Sequence, residues 1–405
     1  MHPLNYVKPN ILCYRIAQGA SWLVSRLIFR RQLLRNEIKG KRGPFVVIAN
    51  HGAALDFVNL IGATKQPMTF VISNSFYHTL PITGFLKKMG VLPKQQFQTT
   101  ADDLKRMKAV INAGQPLVIY PAGLMCEDGL STPIPTATYK FLKWLDVDVY
   151  VARTQGSYFV MPKWAKGMRP GRTTMDIYQL FTREDLRQAS LDQVKEKTDS
   201  AIIFDAYREQ EQLQVSYRKG DQLAGLENVL YRCPECGKEF AMTVSGGILR
   251  CESCGLAHSA DKFGFLHKVS PEGTEIRYIS DWSRKIYSAL KQSVSLGEVS
   301  GITAATRFQM IDFKKHKFAD VGAGTVTLAG DVFTLDGTLN GAPVHIAVPV
   351  TGVPTLPFSP GRHFEVQHGK TIYRCALDDG KLVMKFINLV KIQFELSREK
   401  LATRA

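Results

Sequence analysis

The sequence has no uninterrupted apolar run of the length that a bilayer-spanning helix needs, about 20 residues. Near the N-terminus, the apolar segment 10–35 is broken by Arg15, Arg26, Arg30 and Arg31. The sequence also lacks a charged start followed by a continuous apolar core and a small-residue cleavage site, so a secretory signal is not expected. We therefore expect a protein that is not secreted and that lies in the cytoplasm or on the cytoplasmic face of a membrane.

Cysteine is scarce, with seven residues in 405, and its distribution excludes a disulfide framework. Two Cys-x-x-Cys pairs, each followed by glycine, account for Cys233, Cys236, Cys251 and Cys254. Four thiolates around a tetrahedral site favour zinc over iron, and a closed set of four ligands leaves no position for a substrate. The spacing predicts a structural zinc ribbon with a hairpin at Gly246-Gly247, and a redox dithiol is the alternative.

Acidic residues are outnumbered, because 36 Asp and Glu against 52 Lys and Arg give a formal net charge of +16. This excess favours an acidic partner such as an anionic membrane lipid, a phosphate-bearing cofactor, an acidic carrier protein or nucleic acid. Nucleic acid is the least favoured of these. Only Arg232, Lys238 and Arg250 lie near the cysteine pairs, which is too few for a phosphate-binding stripe.

Residues 10–35 are predicted to form one amphipathic helix, with Leu12, Ile16 and Leu23 among the residues of its apolar side. Trp22 and Phe29 are suited to the boundary between lipid headgroups and acyl chains, and the arginines would attract anionic lipid. Two interpretations stay open. The helix lies on a membrane surface, as a peripheral or monotopic anchor, or it packs on the following domain.

The residues around which the chain is organised are 45–56. Phe45–Ala49 is a short, β-branched apolar run of the kind that forms a buried parallel strand, and His51 follows it. His51 and Asp56 could not share a face of one unbroken helix, but they can meet if His51 lies in a loop and Asp56 begins the helix. A carboxylate that accepts the Nδ1 proton of an imidazole leaves Nε2 free as a general base. The alternative is a loop histidine beside an aspartate that only favours a helix dipole.

Four blocks occur in an order and spacing that resemble the motifs of the glycerolipid acyltransferase family: Asn50–Asp56, Gly84–Pro93, Ile119–Gly129 and Val149–Tyr158. The similarity covers roughly residues 10–180. It implies that His51 is the base, that Asp56 is its partner, and that the donor is an acyl thioester, either acyl-CoA or acyl-ACP. It further implies that the acceptor is a lipid hydroxyl or amine and that the substrates contact Asn50, Lys94, Tyr120, Pro121, Gly123 and Arg153.

Two positions depart from the family pattern. Gln96 stands where the family has an arginine that handles a phosphate-bearing acceptor, and Ala122 stands where it has a glutamate. The nearest cation is Lys94, which lacks the planar fork of arginine. The resemblance therefore implies the reaction class and leaves the acceptor open. A lipid-binding scaffold without turnover is the rival interpretation, and Cys126 as a nucleophile is a minor alternative.

Backbone N–H groups near Gly123 are the predicted donors to the developing oxyanion. This turn follows the apolar run 116–120, one of four short β-branched runs, and so lies where a strand is expected to end. Ligands bind at the carboxyl ends of strands in open α/β sheets. The same edge would therefore carry the base and the oxyanion donors.

Alternation of these β-branched runs with helical segments predicts an α/β catalytic domain with a mostly parallel sheet flanked by helices. After residue 303 the sequence consists of short β-type runs separated by glycines, with hairpin signals at Asp336-Gly337 and Asn340-Gly341. A helix is predicted at 381–394, at the end of this region. This last part is similar to pleckstrin-homology or GRAM domains. The predicted organisation is an N-terminal amphipathic helical region (1–42), the acyltransferase-like domain (43–225), the zinc ribbon (226–270), a helical linker (271–302) and a mainly-β domain with a C-terminal helix (303–405).

Overall fold

A computed structural model describes residues 6–97, 99–217 and 221–402 of the chain. The chain divides into two compact units, the first formed by residues 1–163 and 167–219 and the second by residues 164–166 and 220–405. Within the described residues, no helix has both the length and the apolar character that a membrane crossing requires.

The first unit is built on a seven-stranded mixed sheet. Its strands are β1 (Gln32–Asn36), β2 (Val46–Ala49), β3 (Thr69–Ser73), β4 (Leu92–Lys94), β5 (Leu117–Ile119), β6 (Val149–Gln155) and β7 (Thr174–Phe181). They lie in the order β1-β7-β6-β2-β5-β3-β4, and only the β6–β7 pair is antiparallel. The predicted α/β domain is thus confirmed, with a mixed sheet because β7 returns against β6.

Helices cover both faces of this sheet. They are α1 (Ile11–Leu27), α2 (Asp56–Ile61), α3 (Asn74–Thr79), α4 (Thr83–Lys88), α5 (Ala101–Asn112), α6 (Thr136–Leu145), α7 (Ser157–Val160), α8 (Arg183–Gln188), α9 (Leu191–Ile202) and α10 (Ala206–Leu213). Side chains alternate along β2, so Val46 and Ile48 pack towards α5, α6 and α9, while Val47 and Ala49 pack towards α1 and α2. Burial on both faces explains why β2 is apolar throughout.

The N-terminal prediction was wrong in two respects. The helix α1 ends at Leu27, and residues 32–36 form an edge strand instead of continuing it. The inward side of α1 consists of Tyr14, Ser21 and Ser25, whereas apolar side chains project outward. Phe29, expected at the lipid boundary, is fully buried in the first unit.

The second unit begins with a small antiparallel sheet in the order β11-β10-β9-β8, formed by β8 (Met242–Ser245), β9 (Ile248–Cys251), β10 (Ala257–Ala260) and β11 (Leu266–Lys268). The predicted hairpin at Gly246-Gly247 is confirmed, since both glycines join β8 to β9 with positive φ of 58° and 77°. Helix α11 (Ile279–Ser295) follows.

An antiparallel seven-stranded sheet and a long helix complete the second unit. The elements are β12 (Gly301–Asp312), β13 (Lys317–Ala329), β14 (Val332–Leu339), β15 (Ala342–Pro349), β16 (Phe358–Ser359), β17 (His363–His368), β18 (Thr371–Leu377) and α12 (Val383–Ala402). The mainly-β prediction is confirmed, and Asn340-Gly341 is the β14–β15 turn. The hairpin predicted at Asp336-Gly337 was wrong, because Gly337 lies inside β14. A Cβ there would come within 2.7 Å of the Gly324 Cα, so close strand approach requires this glycine.

Candidate active site

The loop between β2 and α2 brings His51 and Asp56 together as predicted. Asp56 is the first residue of α2, and its Oδ2 lies 3.1 Å from the Nδ1 of His51. The same oxygen accepts hydrogen bonds of 2.8 Å from the backbone N–H groups of Gly52 and Ala53. These donors fix the carboxylate, because the loop backbone between the two side chains wraps around it.

The imidazole is oriented so that its outer nitrogen is open. The Asp56 side chain is 2% exposed and that of His51 is 20% exposed. Within the described residues no group hydrogen-bonds Nε2, while the ring of Tyr120 lies 4.7 Å from the His51 ring between centroids. A neutral imidazole held at Nδ1 by a carboxylate can accept a proton at Nε2.

Asn50 holds the loop on the sheet. Its side-chain Oδ1 accepts from the N–H of Thr154 and its Nδ2 donates to the carbonyl of the same residue, both at 2.7 Å. The side chain thereby continues the pairing of β2 with β6 by one position. Both polar groups of Asn50 are used in this way, so the residue holds the loop that carries His51, and its predicted contact with substrate stays a prediction.

The close packing of the loop residue after His51 against α7 was not predicted from the sequence. A Cβ at Gly52 would lie 2.7 Å from the Oγ of Ser157 and 3.1 Å from the N of Tyr158, at the start of α7. Glycine is therefore required where the β2–α2 loop meets α7. The sequence signal that could have indicated this close packing was Gly52 itself, directly after His51.

The carboxyl ends of the parallel strands place the other motif residues at the same edge of the sheet. Lys94 ends β4, while Tyr120 and Pro121 follow β5. The Nζ of Lys94 donates to the carbonyl of Gln95 at 2.9 Å, and burial lowers the pKa of its ammonium group. Burial, reinforced by the charge of Asp56, raises the pKa of the Tyr120 phenol, which therefore stays neutral.

The turn after β5 is closed by its own backbone. The N–H of Gly123 donates to the carbonyl of Tyr120 at 3.0 Å, and the prediction that N–H groups near Gly123 hold the oxyanion stays a prediction. The Nε2 of Gln96 donates to the carbonyl of Gly123 at 2.6 Å, and a Cβ at Gly123 would touch the Phe97 ring at 3.6 Å. Gln96 thus joins the second motif to the third without a charge.

Arg153 is engaged by protein groups. Its guanidinium pairs with Glu209 and donates to the carbonyls of Ala201 and Ile203, at 3.1 and 3.0 Å. These bonds tie β6 to the segment around α9 and α10. Arg153 thus has a structural role, and its predicted contact with substrate stays a prediction.

Cys126 is fully buried near the pair. Burial raises the pKa of its thiol well above the usual value, and the charges of Asp128, Glu127 and Asp56 act in the same direction. A buried, protonated thiol is a poor nucleophile. The geometry thus favours His51 over Cys126 as the reactive group.

The four paired cysteines converge in the second unit. Their sulfur atoms all lie within 4.8 Å of one another, with Sγ–Sγ distances of 3.6 Å for Cys233 and Cys254 and 3.8 Å for Cys236 and Cys251. Four sulfurs held tetrahedrally at the usual zinc–sulfur distance of about 2.3 Å would be about 3.8 Å apart. The cluster therefore has the spacing of a four-thiolate metal site.

Part of the chain is similar to known proteins. Residues 30–156, about a third of the chain, match the family model described as acyltransferase. None of the curated proteins matches the chain. Among solved structures, the 1-acyl-sn-glycerophosphate (LPA) acyltransferase from Thermotoga maritima is similar over 52% of this chain and 80% of its own, with 15% identity and a TM-score of 0.40. Together, the family match and the paired His51 and Asp56 identify residues 30–156 as an acyltransferase-type α/β domain.

Proposed function

We propose that the protein is a membrane-associated acyltransferase that moves a fatty acyl group from an acyl thioester, acyl-CoA or acyl-ACP, to a lipid hydroxyl or amine. The observation that carries this proposal is the contact between His51 Nδ1 and Asp56 Oδ2, with Nε2 open at the carboxyl edge of the sheet. The family match over residues 30–156 supports the reaction class.

In this mechanism His51 Nε2 removes the proton of the acceptor hydroxyl or amine while Asp56 stabilises the imidazolium. The acceptor atom attacks the thioester carbonyl and forms a tetrahedral oxyanion. Collapse of this intermediate breaks the carbon–sulfur bond, and the leaving thiolate takes the proton back from His51. The products are the acylated acceptor and a free thiol, and no acyl-enzyme is formed.

The first unit has a surface suited to a lipid bilayer. Helix α1 turns its polar residues inward and exposes Leu12 at 71%, Ile16 at 58% and Leu27 at 61%. Apolar side chains on one face beside arginines are typical of helices that lie in the interface of an anionic membrane. We infer that α1 binds the cytoplasmic face of a membrane as a peripheral or monotopic element, with anionic lipid as the partner.

The cysteine cluster is proposed to hold one structural Zn²⁺. The sulfur spacing fits a tetrahedral ion, and four thiolates fill its coordination shell, so the ion would stabilise the small sheet β8–β11 without contributing to the chemistry. The segment that carries the cysteines also contacts α12 of the same unit, because Lys385 pairs with Glu239 at 2.5 Å.

An inactive lipid-binding scaffold is the second candidate. It is favoured by Gln96, whose amide is bonded to the Gly123 carbonyl in the position where the resemblance expects an arginine, and by Ala122 in place of a glutamate. The same observation bears on the acceptor of an active enzyme. An amide already used by the protein is a poor ligand for a phosphate, so acceptors without a phosphomonoester should be included among the substrates tested.

The deciding experiment incubates the purified protein with acyl-CoA or acyl-ACP of several chain lengths and with lysolipid, diacylglycerol and aminolipid acceptors in anionic vesicles. Free thiol and labelled lipid product are measured. We expect release of thiol in step with lipid acylation, and loss of both in His51→Ala with vesicle binding retained. Vesicle binding without thiol release from any pair of substrates would support the scaffold.

A further inference from the structure

The carbonyl end of α2 is held by side chains from the N-terminal segment. The last carbonyls of any helix lack partners within the helix and must be satisfied from elsewhere. Here the guanidinium of Arg31 donates to the carbonyl of Asn59 and, at 3.2 Å, to that of Gly62. One planar fork thus covers two of the groups at this helix end.

Further donors from the same segment surround Arg31. Ser25 Oγ donates to the carbonyl of Val58 at 3.3 Å, Asn36 Nδ2 donates to that of Ala63 at 2.9 Å, and Gln18 donates to that of Thr64. The backbones also approach closely, because a Cβ at Gly62 would lie 3.1 Å from the N of Trp22. The N-terminal segment therefore holds α2 and the residues after it by polar contacts at close range, beside the apolar cluster that Tyr14 shares with Leu60 and Ile61.

The other end of α2 carries Asp56. The helix has six residues and is about 9 Å long, at a rise of about 1.5 Å per residue, so a shift at its carbonyl end moves its first residue as well. His51 lies outside the helix and is held separately, through Asn50 and the backbone of Thr154. The 3.1 Å contact between His51 and Asp56 thus depends on the supports of α2 and of the loop, in addition to the N–H groups of Gly52 and Ala53 that bind the carboxylate.

We propose that Arg31 is a positioning residue of the acyl-transfer reaction, holding α2 by its carbonyl end so that Asp56 stays against His51. This inference rests on the proposed function. Arg31 lies between the end of α1 and the start of β1, and the outward face of α1, the surface proposed to bind the membrane, does not include it.

The test compares Arg31→Met, which keeps an unbranched stem and removes every donor, with the matched change at the exposed neighbour, Arg30→Met. Both are assayed for kcat, KM, vesicle binding and thermal unfolding. We expect Arg31→Met to lower kcat by about 10- to 100-fold, since a displacement near 1 Å can cost that much, with KM and vesicle binding within twofold of wild type. Arg31→Lys should recover part of kcat, and Arg30→Met should keep the kcat and the thermal unfolding of wild type.

A second measurement does not need activity. Nuclear magnetic resonance spectra of histidine-labelled protein, with the His51 signal assigned from His51→Ala, report the contact with Asp56 directly. Arg31→Met should move the His51 ring shifts towards those of Asp56→Asn, and Arg30→Met should not. If Arg31→Met fails to fold, Arg31→Lys and Arg31→Gln give the same comparison.

The outcomes separate this inference from the proposed function. An Arg31→Met protein with wild-type kcat or unchanged His51 shifts overturns the positioning role, and so does a loss of stability with no change in kcat. If the wild-type protein transfers no acyl group, the proposed function fails, and the His51 shifts still decide whether Arg31 holds the pair.

Discussion

Asn50 and Thr154 exchange two hydrogen bonds of 2.7 Å, through which the side-chain amide of Asn50 continues the pairing of β2 with β6 beyond the end of β2. The loop that starts at His51 is thereby attached to the central strand β6. We expect Asn50→Ala to leave a buried N–H and a buried carbonyl of Thr154 unpaired, at a cost of about 1–3 kcal/mol in the free energy of unfolding.

Chemical denaturation and kcat of Asn50→Ala give the measurement, with the exposed Asn112→Ala as the matched control. Both stability and kcat should fall in Asn50→Ala alone. Wild-type stability in Asn50→Ala would show that the two bonds with Thr154 contribute little to holding the loop.

Replacing Asp56 by asparagine preserves the shape of the side chain and removes its charge. The amide cannot stabilise an imidazolium, and it can present an N–H to Nδ1, which favours the wrong tautomer of His51. We expect kcat of Asp56→Asn to fall by about 10²- to 10⁴-fold with little change in vesicle binding. His51→Ala is assayed in the same series, and His368→Ala, at an exposed position in the second unit, is its control for the replacement of a histidine. Activity near the wild-type level in Asp56→Asn would remove the general-base mechanism.

Cys126 should be dispensable for chemistry. Its thiol is buried, and the raised pKa keeps it protonated through neutral pH, so the reactive thiolate would form only at much higher pH. We expect Cys126→Ala to keep kcat within a few-fold of wild type. The control, Cys13→Ala, should do the same. Mass spectrometry of the protein quenched during turnover should find no acyl group on Cys126, and an acyl adduct there would contradict the mechanism.

Removal of the proposed zinc ion should unfold only residues 228–265, which contain the four paired cysteines. We expect about one zinc ion per chain by elemental analysis in the wild type and in Cys13→Ser, and a large loss in Cys236→Ser. A strong chelator should increase hydrogen exchange in residues 228–265 while the first unit keeps its protection, since small metal modules derive much of their folding energy from the ion. Increased exchange confined to the first unit would argue against a structural zinc site.

The outward face of α1 should determine vesicle binding. Burying one large apolar side chain contributes about 1.5–3 kcal/mol, so Leu12→Glu with Ile16→Glu should weaken binding to anionic vesicles by roughly 100-fold or more. Leu296→Glu, at a similarly exposed leucine of the second unit, is the control. High salt should weaken wild-type binding, because the arginines of α1 act through charge. Equal binding by the double variant and the control would exclude α1 as the membrane contact.

Local sequence patterns indicate several of the strands and helices of this structure. The structure has a full capping box at Thr100–Asp103, which is a local sequence signal for the start of α5. The β-branched run before His51 predicted β2, and the spacing from His51 to Asp56 predicted a loop followed by a helix start. These features depend on residues within a few positions of one another, so the order of the residues contains the necessary information.

Contacts between distant segments were not predictable in the same way. Local spacing did not indicate that Asn50 pairs with Thr154, 104 positions away, or that Arg153 pairs with Glu209. Periodicity showed that α1 has two faces without indicating which one is buried. That choice depends on contacts with a distant segment, in which Ser25 donates to the carbonyl of Val58 in α2 and Gln18 donates to that of Thr64 after it.

The sequence by itself determined the elements with strong local signals, the placement of His51 in a loop and Asp56 at a helix start, and the arrangement of four cysteines in two Cys-x-x-Cys pairs, because these depend on short-range spacing. The tertiary structure alone decided the inward polar face of α1, the anchoring of Asn50 and the place of Arg31 at the end of α2. Each of these is set by which distant backbone groups remain without a partner, and that is known only once the chain has folded.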